Sequence, residues 1–196
     1  MSKLEPRIPP VKDSEWTEEM RDLFEVMEGP EAREKGPSRE IIKYLAQHPA
    51  LSTKFLAFGS HLLFQSSLPD RERELVTLYI AWRTKSDYEW ISHVPFGLHV
   101  GLSAEEILEV KKGPSSSLWS DKDRDLLVAV DQYLENYCLD DELWASLSRE
   151  WDTPQMVELL FTIGNYMLFS GVLNTLRIPL EAGTEEFVKN FGLPEG

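Results

Sequence analysis

The stretch that decides the fold is residues 70–103, DRERELVTLYIAWRTKSDYEWISHVPFGLHVGLS. Apolar side chains recur at helical spacing in its first half, which predicts a helix over residues 71–82. Ser86 or Asp87 begins a second helical segment, which runs to about His99 and is followed by a glycine typical of a helix end. The stretch therefore predicts two consecutive helices joined by a short turn.

Helical spacing also dominates the chain on either side of this stretch. Further helices are predicted at approximately 15–27, 50–65, 104–112, 120–137, 141–150 and 154–178. The segment between Gly29-Pro30 and Gly36-Pro37 is predicted to be a charged loop. No segment alternates between apolar and polar residues as a half-buried strand does. The sequence therefore predicts an all-α bundle of about eight helices that is preceded by an extended, proline-containing N-terminal arm.

The length of 196 residues fits one domain. Within residues 1–196 we expect an N-terminal part, 1–48, that holds the arm and its helices. A first core half, 49–112, contains the stretch quoted above, and a second helical half covers 119–180. The serine-containing loop Gly113–Leu118 separates the two halves.

Charge and composition exclude several functional classes. The chain has 34 acidic residues against 20 Lys and Arg, a net charge of −14. Phosphate contacts need clustered basic side chains, so we expect neither a nucleic-acid partner nor an anionic membrane partner. A single cysteine allows no disulfide within the chain and no CxxC redox pair.

One segment is long and apolar enough to be tested as a membrane span. Leu159–Leu176 contains no charged residue and has 18 residues, the minimum for a span. Its asparagine, threonine, serine, tyrosine and glycine residues instead favour a buried core helix or a helix at a subunit interface. The N-terminus has no apolar stretch typical of a signal peptide. We therefore expect a soluble, cytoplasmic protein.

The residues most suited to chemistry lie in the second predicted helix. Glu89 and His93 are four residues apart and share one helix face. A carboxylate beside an imidazole raises the pKa of the imidazole and suits acid/base chemistry. Tyr88 and Trp90 flank the pair and are candidates for the wall of a pocket. Two alternatives remain open: a surface ion pair, or a capping box formed by Ser86 and Glu89.

A second carboxylate stands at the start of the apolar run in the first helix. Glu74 directly precedes Leu75 and Val76, so its side chain is a candidate for an inward position, where burial would raise its pKa. We expect no metal site, because the chain contains neither HExxH nor HxxxH. It also contains no glycine-rich phosphate loop and no GxSxG nucleophile elbow.

These motifs together resemble the carboxymuconolactone decarboxylase family of the alkylhydroperoxidase-like superfamily. The resemblance lies in Arg73-Glu74-Leu75, in Tyr88-Glu89-Trp90 followed by His93, and in Gly101-Leu102-Ser103 followed by Glu105-Glu106-Ile107. It spans about residues 49–129. The resemblance implies an all-α fold, subunits that pack as dimers, trimers or hexamers, and a pocket between helices near a subunit interface.

The peroxidase branch of this superfamily carries two cysteines in a CxxC motif, with a histidine four residues after the second. Aligned on His93, the two cysteine positions are occupied by Ser86 and Glu89, and the glutamate of the motif corresponds to Glu74. Thiolate attack on a peroxide needs those cysteines. Thiol peroxidase activity is therefore disfavoured.

The remaining branch works without cofactor or metal, so the resemblance implies a carboxy-lyase acting on a small carboxylated lactone or a related acid. In this interpretation His93 delivers the proton, and Glu74 or Glu89 orients it or relays protons. Arg73 is a candidate anchor for the substrate carboxylate. Three alternatives stay open: an isomerase or hydratase that uses the same site, a non-catalytic helical oligomer that binds a small molecule, and a purely structural oligomer built on 156–176.

Overall fold

The computed structural model describes residues 5–194, and over this range the chain is helical without a strand. The all-α prediction is confirmed, with eleven α-helices within residues 5–194 in place of about eight in the prediction. The chain divides into two compact units. Unit 1 comprises the residues up to Gln65 and Thr175–Gly183, whereas unit 2 comprises Ser66–Asn174 and the residues from Thr184. The single domain with boundaries near residues 48 and 112 stays a prediction.

Unit 1 begins with an extended arm and contains four α-helices. Backbone N–H groups of Arg7 and Val11 donate to the carbonyls of Leu176 and Lys43, at 3.0 and 3.1 Å, and fix the arm. After a 3₁₀ turn come α1 (Glu18–Glu28), α2 (Pro30–Lys35), α3 (Glu40–Leu45) and α4 (Pro49–Phe64). Their buried side chains, which form the core of the unit, include Leu23, Phe24, Ile42 and Leu62.

The charged segment that was predicted to be a loop is helix α2, and that prediction was wrong. Gly29 has a φ of +89° and separates α1 from α2. Pro30 occupies the first helical position, where its missing N–H leaves no hydrogen bond unmade. Gly36, with a φ of +85°, ends the helix. Glycine and proline flank a short helix in the same way as they flank a loop.

Unit 2 contains the remaining α-helices and a 3₁₀ helix. Its helices are α5 (Asp70–Arg83), α6 (Asp87–His99), α7 (Ala104–Glu109), the 3₁₀ helix Val110–Ser115, α8 (Asp121–Asn136), α9 (Asp141–Glu150), α10 (Thr153–Leu176, of which the residues to Asn174 belong to unit 2) and α11 (Glu185–Phe191). Ser103 and Glu106 form a capping box at the start of α7.

Helix α5 lies at the centre of unit 2, and every residue from Arg73 to Ala81 is buried. A tight turn then leads into α6. Lys85 adopts a left-handed conformation with a φ of 55°, and the N–H of Ser86 donates to the carbonyl of Ala81 at 2.9 Å. This pattern of a left-handed residue and a six-residue hydrogen bond is the Schellman ending of a helix. It reverses the chain, so that α6 packs back along α5.

Helix α10 runs alongside α5 in the same direction. At its start, Glu158 accepts hydrogen bonds from the Ser66 hydroxyl at 2.9 Å and from the Leu68 N–H at 3.2 Å. Near its end, the Asn174 amide donates to the carbonyl of Thr84 at 2.8 Å. By length and composition alone α10 is able to span a membrane, but 44% of its most apolar window is buried inside the protein.

Candidate active site

The centre of the candidate site is a short contact between α5 and α6. Oε2 of Glu74 lies 2.7 Å from Nδ1 of His93. The Glu74 side chain is fully buried, and that of His93 is 8% exposed. Glu74 therefore turns inward, as its position at the start of the apolar run indicated. The antiparallel packing of α5 and α6 brings together two residues that are 19 positions apart.

A second carboxylate approaches the other ring nitrogen of His93. Oε2 of Glu89 lies 3.4 Å from Nε2 of His93, one helical turn away on α6. Ser86 makes no side-chain cap bond at the start of α6. The alternative of a capping box is therefore excluded, and the buried position of Glu89 excludes the alternative of a surface ion pair.

Arg73 connects the buried carboxylate of Glu74 to the exposed carboxylate of Asp70. Its Nε and Nη2 atoms each lie 3.4 Å from Oε1 of Glu74, while Nη1 donates to the exposed carboxylate of Asp70. Only 4% of the Arg73 side chain is exposed. The guanidinium is thus paired with carboxylates of its own helix, and it contacts Oε1 of Glu74 whereas His93 contacts Oε2.

Burial and charge compete in setting the protonation state of His93. Burial lowers the pKa of the imidazole, but the charges of Glu74 and Glu89 and the hydrogen bonds to them outweigh it. The pKa rises from 6.5 to about 10. At neutral pH His93 is therefore an imidazolium that donates at both nitrogens. Two cations, Arg73 and His93, balance the charges of Glu74 and Glu89.

The two contacts of His93 are unequal, and this inequality has a chemical consequence. The bond to Glu74 has the length of a charge-assisted hydrogen bond, whereas the 3.4 Å contact to Glu89 is long. The proton on Nε2 is therefore held less tightly than the proton on Nδ1. An imidazolium in this arrangement acts as a proton donor through Nε2, with its ring orientation fixed by Glu74.

Tyr166 of α10 completes the surroundings of His93 and was not among the predicted site residues. Its ring packs edge-on against the imidazole, with centroids 5.0 Å apart and an interplanar angle of 90°. Burial, together with the charges of Glu74 and Glu89, raises the pKa of the Tyr166 phenol well above 10, so it stays a neutral O–H group. Helical spacing alone marks Tyr166 as an ordinary core residue.

The two predicted pocket residues beside Glu89 are both buried. Trp90 packs edge-on against Trp82, with ring centroids 5.2 Å apart, and its indole N–H donates to the carbonyl of Gly192 at 3.0 Å. The amine of Lys111 lies 5.9 Å from the centroid of the same ring. These contacts are with residues other than Glu74 and His93, so they give Trp90 a packing role beside its predicted role as a substrate contact. Tyr88 as a substrate contact also stays a prediction.

Comparison with known proteins covers both the sequence and the fold. Residues 49–127 match the sequence model of the carboxymuconolactone decarboxylase family. No curated protein sequence matches the chain.

Over residues 5–194, no group of three or more His, Cys, Asp and Glu side chains is arranged to hold a metal ion.

Several solved structures share the fold at low sequence identity. An uncharacterized peroxidase-related protein from Ralstonia eutropha JMP134, with an alkylhydroperoxidase AhpD core, has a TM-score of 0.77 and 14% identity, covering 97% of this chain and 98% of its own. A cysteine-to-alanine variant of the debrominase Bmp8 in complex with 2,3,4-tribromopyrrole has a TM-score of 0.75 and 12% identity, covering 97% and 100%.

A third structure is an uncharacterized peroxidase-related protein from Silicibacter sp. TM1040, with a TM-score of 0.72 and 14% identity, covering 98% of this chain and 99% of its own. At such identities the structures show the fold alone. Residues 49–127, which include Glu74, Glu89 and His93, match the carboxymuconolactone decarboxylase family in sequence, and the chain has the helical fold of these solved structures.

Proposed function

We propose that this protein is a cofactor-independent acid/base enzyme in which His93 donates a proton to a carbon atom of a small substrate. The observation that carries the proposal is the buried imidazolium between two carboxylates, Glu74 at 2.7 Å and Glu89 at 3.4 Å. An imidazolium that is charged at neutral pH serves as an acid rather than a base. His93, Glu74 and Glu89 are accordingly the proposed catalytic residues.

The reaction that we propose first is a carboxy-lyase reaction on a small carboxylated lactone or a related acid. The bond between the ring carbon and the carboxylate breaks, CO₂ leaves, and the electron pair forms an enolate. The proton on Nε2 of His93 then moves to carbon, and solvent restores it. The family match over residues 49–127 supports this choice of reaction.

The carboxylates of the site also favour loss of CO₂. A substrate carboxylate beside Glu89 experiences like-charge repulsion, which disappears as neutral CO₂ departs. Interactions that are less unfavourable in the transition state than in the bound substrate accelerate the chemical step. Arg73, which the resemblance suggested as a carboxylate anchor, is engaged by Glu74 and Asp70. We therefore propose that Arg73 is a positioning residue for Glu74.

Other functions use the same geometry and are kept as alternatives. An isomerase or a hydratase would also need a proton donor beside an enolate, and a non-catalytic binding protein would retain the ligand unchanged. Thiol peroxidase chemistry is disfavoured, since Ser86 and Glu89 occupy the motif's cysteine positions and the one cysteine, Cys138, is exposed after α8.

The proposal is tested with a panel of γ-lactone carboxylic acids incubated in D₂O, with CO₂ release and deuterium at the product carbon as readouts. We expect release of CO₂ with one deuterium incorporated. His93→Gln and Glu89→Gln should each lower the rate at least about 100-fold, within the usual contribution of acid/base catalysis. His99→Gln, which changes an exposed histidine at the end of α6, is the matched control.

The outcomes separate the candidates. Turnover that is equal in wild type and His93→Gln would contradict the proposed role of His93. Product with deuterium but without CO₂ would favour the isomerase. Recovery of a tightly bound ligand unchanged would favour the binding protein.

We further propose that the protein is a soluble, cytoplasmic homo-oligomer without nucleic-acid or membrane partners. Val157 and Leu168 of α10 are 44% and 54% exposed, and apolar side chains of this kind on one helix favour a subunit contact. Light scattering coupled to gel filtration measures the assembly; a dimer, trimer or hexamer is expected, and a monomer at micromolar concentration would contradict it.

A further inference from the structure

A row of polar side chains on α10 is buried beside His93. Thr162, Tyr166 and Ser170 are spaced four residues apart, so they lie in one row on the same helix face. Tyr166, in the middle of the row, contacts the imidazole of His93. Thr162 and Ser170 are fully buried, and Tyr166 is 5% exposed.

Thr77 of α5 approaches the same row. It lies three residues after Glu74, is fully buried, and is close enough to Tyr166 to influence the pKa of the phenol. Helices α5 and α10 run in the same direction, as the contacts of Glu158 and Asn174 at the two ends show. We call Thr77, Thr162, Tyr166 and Ser170 the hydroxyl subsite.

The hydrogen-bonding capacity of this subsite is largely unused within residues 5–194. The hydroxyl oxygens of Thr77, Thr162 and Ser170 are inaccessible and have no hydrogen-bond partner among residues 5–194. A buried hydroxyl without a partner costs about 1–3 kcal/mol. Helix α10 is otherwise strongly apolar, yet it carries this cost at Thr162 and Ser170, one turn on either side of Tyr166. We take this as an indication that these hydroxyls have a role other than folding.

The neighbouring cluster of Arg73, Glu74, Glu89 and His93 limits the kind of group that these hydroxyls are able to bind. The cations Arg73 and His93 are both paired with Glu74, and His93 also faces Glu89. The cluster therefore has no surplus positive charge for an oxyanion. Neutral O–H donors in a dry environment stabilise developing oxyanion charge without competing for those carboxylates.

We propose that the hydroxyl subsite binds an uncharged carbonyl oxygen of the substrate, and that Tyr166 and Thr77 donate hydrogen bonds to the enolate oxygen that it becomes. The substrate class is thus a small carbonyl compound, such as a lactone or ketone, whose reacting carbon lies between this oxygen and Nε2 of His93. The oxyanion part of this inference rests on the proposed acid/base function, whereas carbonyl recognition does not. The raised pKa of Tyr166 agrees with a phenol that stays protonated and able to donate.

The experiment uses p-nitrophenol as a probe, because its oxygen mimics an enolate oxygen and its absorbance changes on binding. Wild type is expected to bind it, and Tyr166→Phe and Thr77→Val should each weaken the affinity about tenfold, as expected for the loss of one hydrogen bond. Thr77→Val should also raise the melting temperature of the free protein by about 2–4 °C, since it removes a buried unpaired hydroxyl.

Two matched controls separate this role from a structural one. Tyr133→Phe changes a half-buried tyrosine of α8, and Thr84→Val removes a hydroxyl that already donates to the carbonyl of Ile80 at 2.7 Å. Both should leave the affinity for p-nitrophenol unchanged, and Thr84→Val should not raise the melting temperature. A melting temperature that falls in Thr77→Val would show that its hydroxyl serves folding, and would overturn the inference.

The remaining outcomes distinguish the subsite from the enzyme. The proposed subsite is overturned if wild type does not bind p-nitrophenol. It is also overturned if wild type, Tyr166→Phe and Thr77→Val bind p-nitrophenol with equal affinity. Both conclusions hold even if lactone acids are decarboxylated. Binding that depends on Tyr166 and Thr77, without turnover of any lactone acid, supports the subsite while the proposed function fails.

Discussion

Nδ1 of His93 lies 2.7 Å from Oε2 of Glu74, and both side chains are buried in the centre of unit 2. The fold creates this contact by reversing the chain between α5 and α6 at Lys85. The carboxylate makes the imidazole a cation at neutral pH, and a buried cation next to Glu89 is the feature on which the proposed chemistry depends.

The stability of the protein should decrease as pH rises above neutrality. The pKa of His93 is raised from 6.5 in the unfolded chain to about 10 in the folded one. Its contribution is therefore complete below about pH 6.5 and is lost as pH rises through about 10. Urea unfolding across this range measures it. His93→Gln should remove most of the decrease, and an unchanged pH dependence in that variant would contradict the assignment.

Replacing Arg73 should destabilise the fold strongly. Arg73→Met leaves the buried charge of Glu74 with His93 as its one remaining cationic partner, and breaking a buried ion pair typically costs about 3–5 kcal/mol. Arg149→Met, at an exposed position on α9, should change stability by less than about 0.5 kcal/mol. Adding Glu74→Gln to Arg73→Met should restore part of the loss. A single variant as stable as wild type in urea would show that Arg73 does not stabilise this cluster.

The turn before α6 should be improved by glycine. Lys85 is exposed and adopts a φ of 55°, a conformation that costs a residue with a side chain about 1 kcal/mol. Lys85→Gly should therefore raise the free energy of unfolding by up to about 1 kcal/mol. Lys54→Gly, at an exposed position inside α4, should lower it by about 1 kcal/mol. Destabilisation by both variants would contradict the left-handed conformation of Lys85.

Cysteine chemistry should be absent from this site. Cys138 is exposed and lies beyond the end of α8. Consumption of an alkyl hydroperoxide should be at the background rate in wild type and in Cys138→Ser alike. Peroxide consumption in wild type that disappears in Cys138→Ser would restore the thiol peroxidase alternative.

Helical spacing predicted most of the fold, because the core of each long helix is a row of apolar residues. The prediction failed at α2, because glycine and proline flank a loop and a short helix alike. The spacing of Glu89 and His93 placed both on one face, yet it did not separate an acid/base pair from a capping box. That distinction depends on the side chain of Ser86, which makes no cap bond, and on Glu74, which reaches His93 only through the packing of α5 on α6.

The positions of Tyr166 and Thr77 near the candidate site could not be predicted from sequence patterns. Each occupies a position that helical spacing assigns to the core, and the structure confirms that both are buried. The approach of Tyr166 to His93 and of Thr77 to Tyr166 depends on the parallel arrangement of α5 and α10, which no local pattern encodes. The resemblance to the family marked Glu74 and His93, but it did not mark the unpaired hydroxyls around them.

The central claim is that Glu74 keeps His93 protonated at neutral pH, and an NMR titration tests it directly. The chemical shift of the His93 Cε1 carbon, assigned by comparison with His93→Gln, is followed from about pH 5 to pH 11. We predict that His93 titrates near pH 10 in wild type, and at a clearly lower pH in Glu74→Gln. Titration of wild-type His93 near its ordinary value of 6.5, unchanged in Glu74→Gln, would contradict the account.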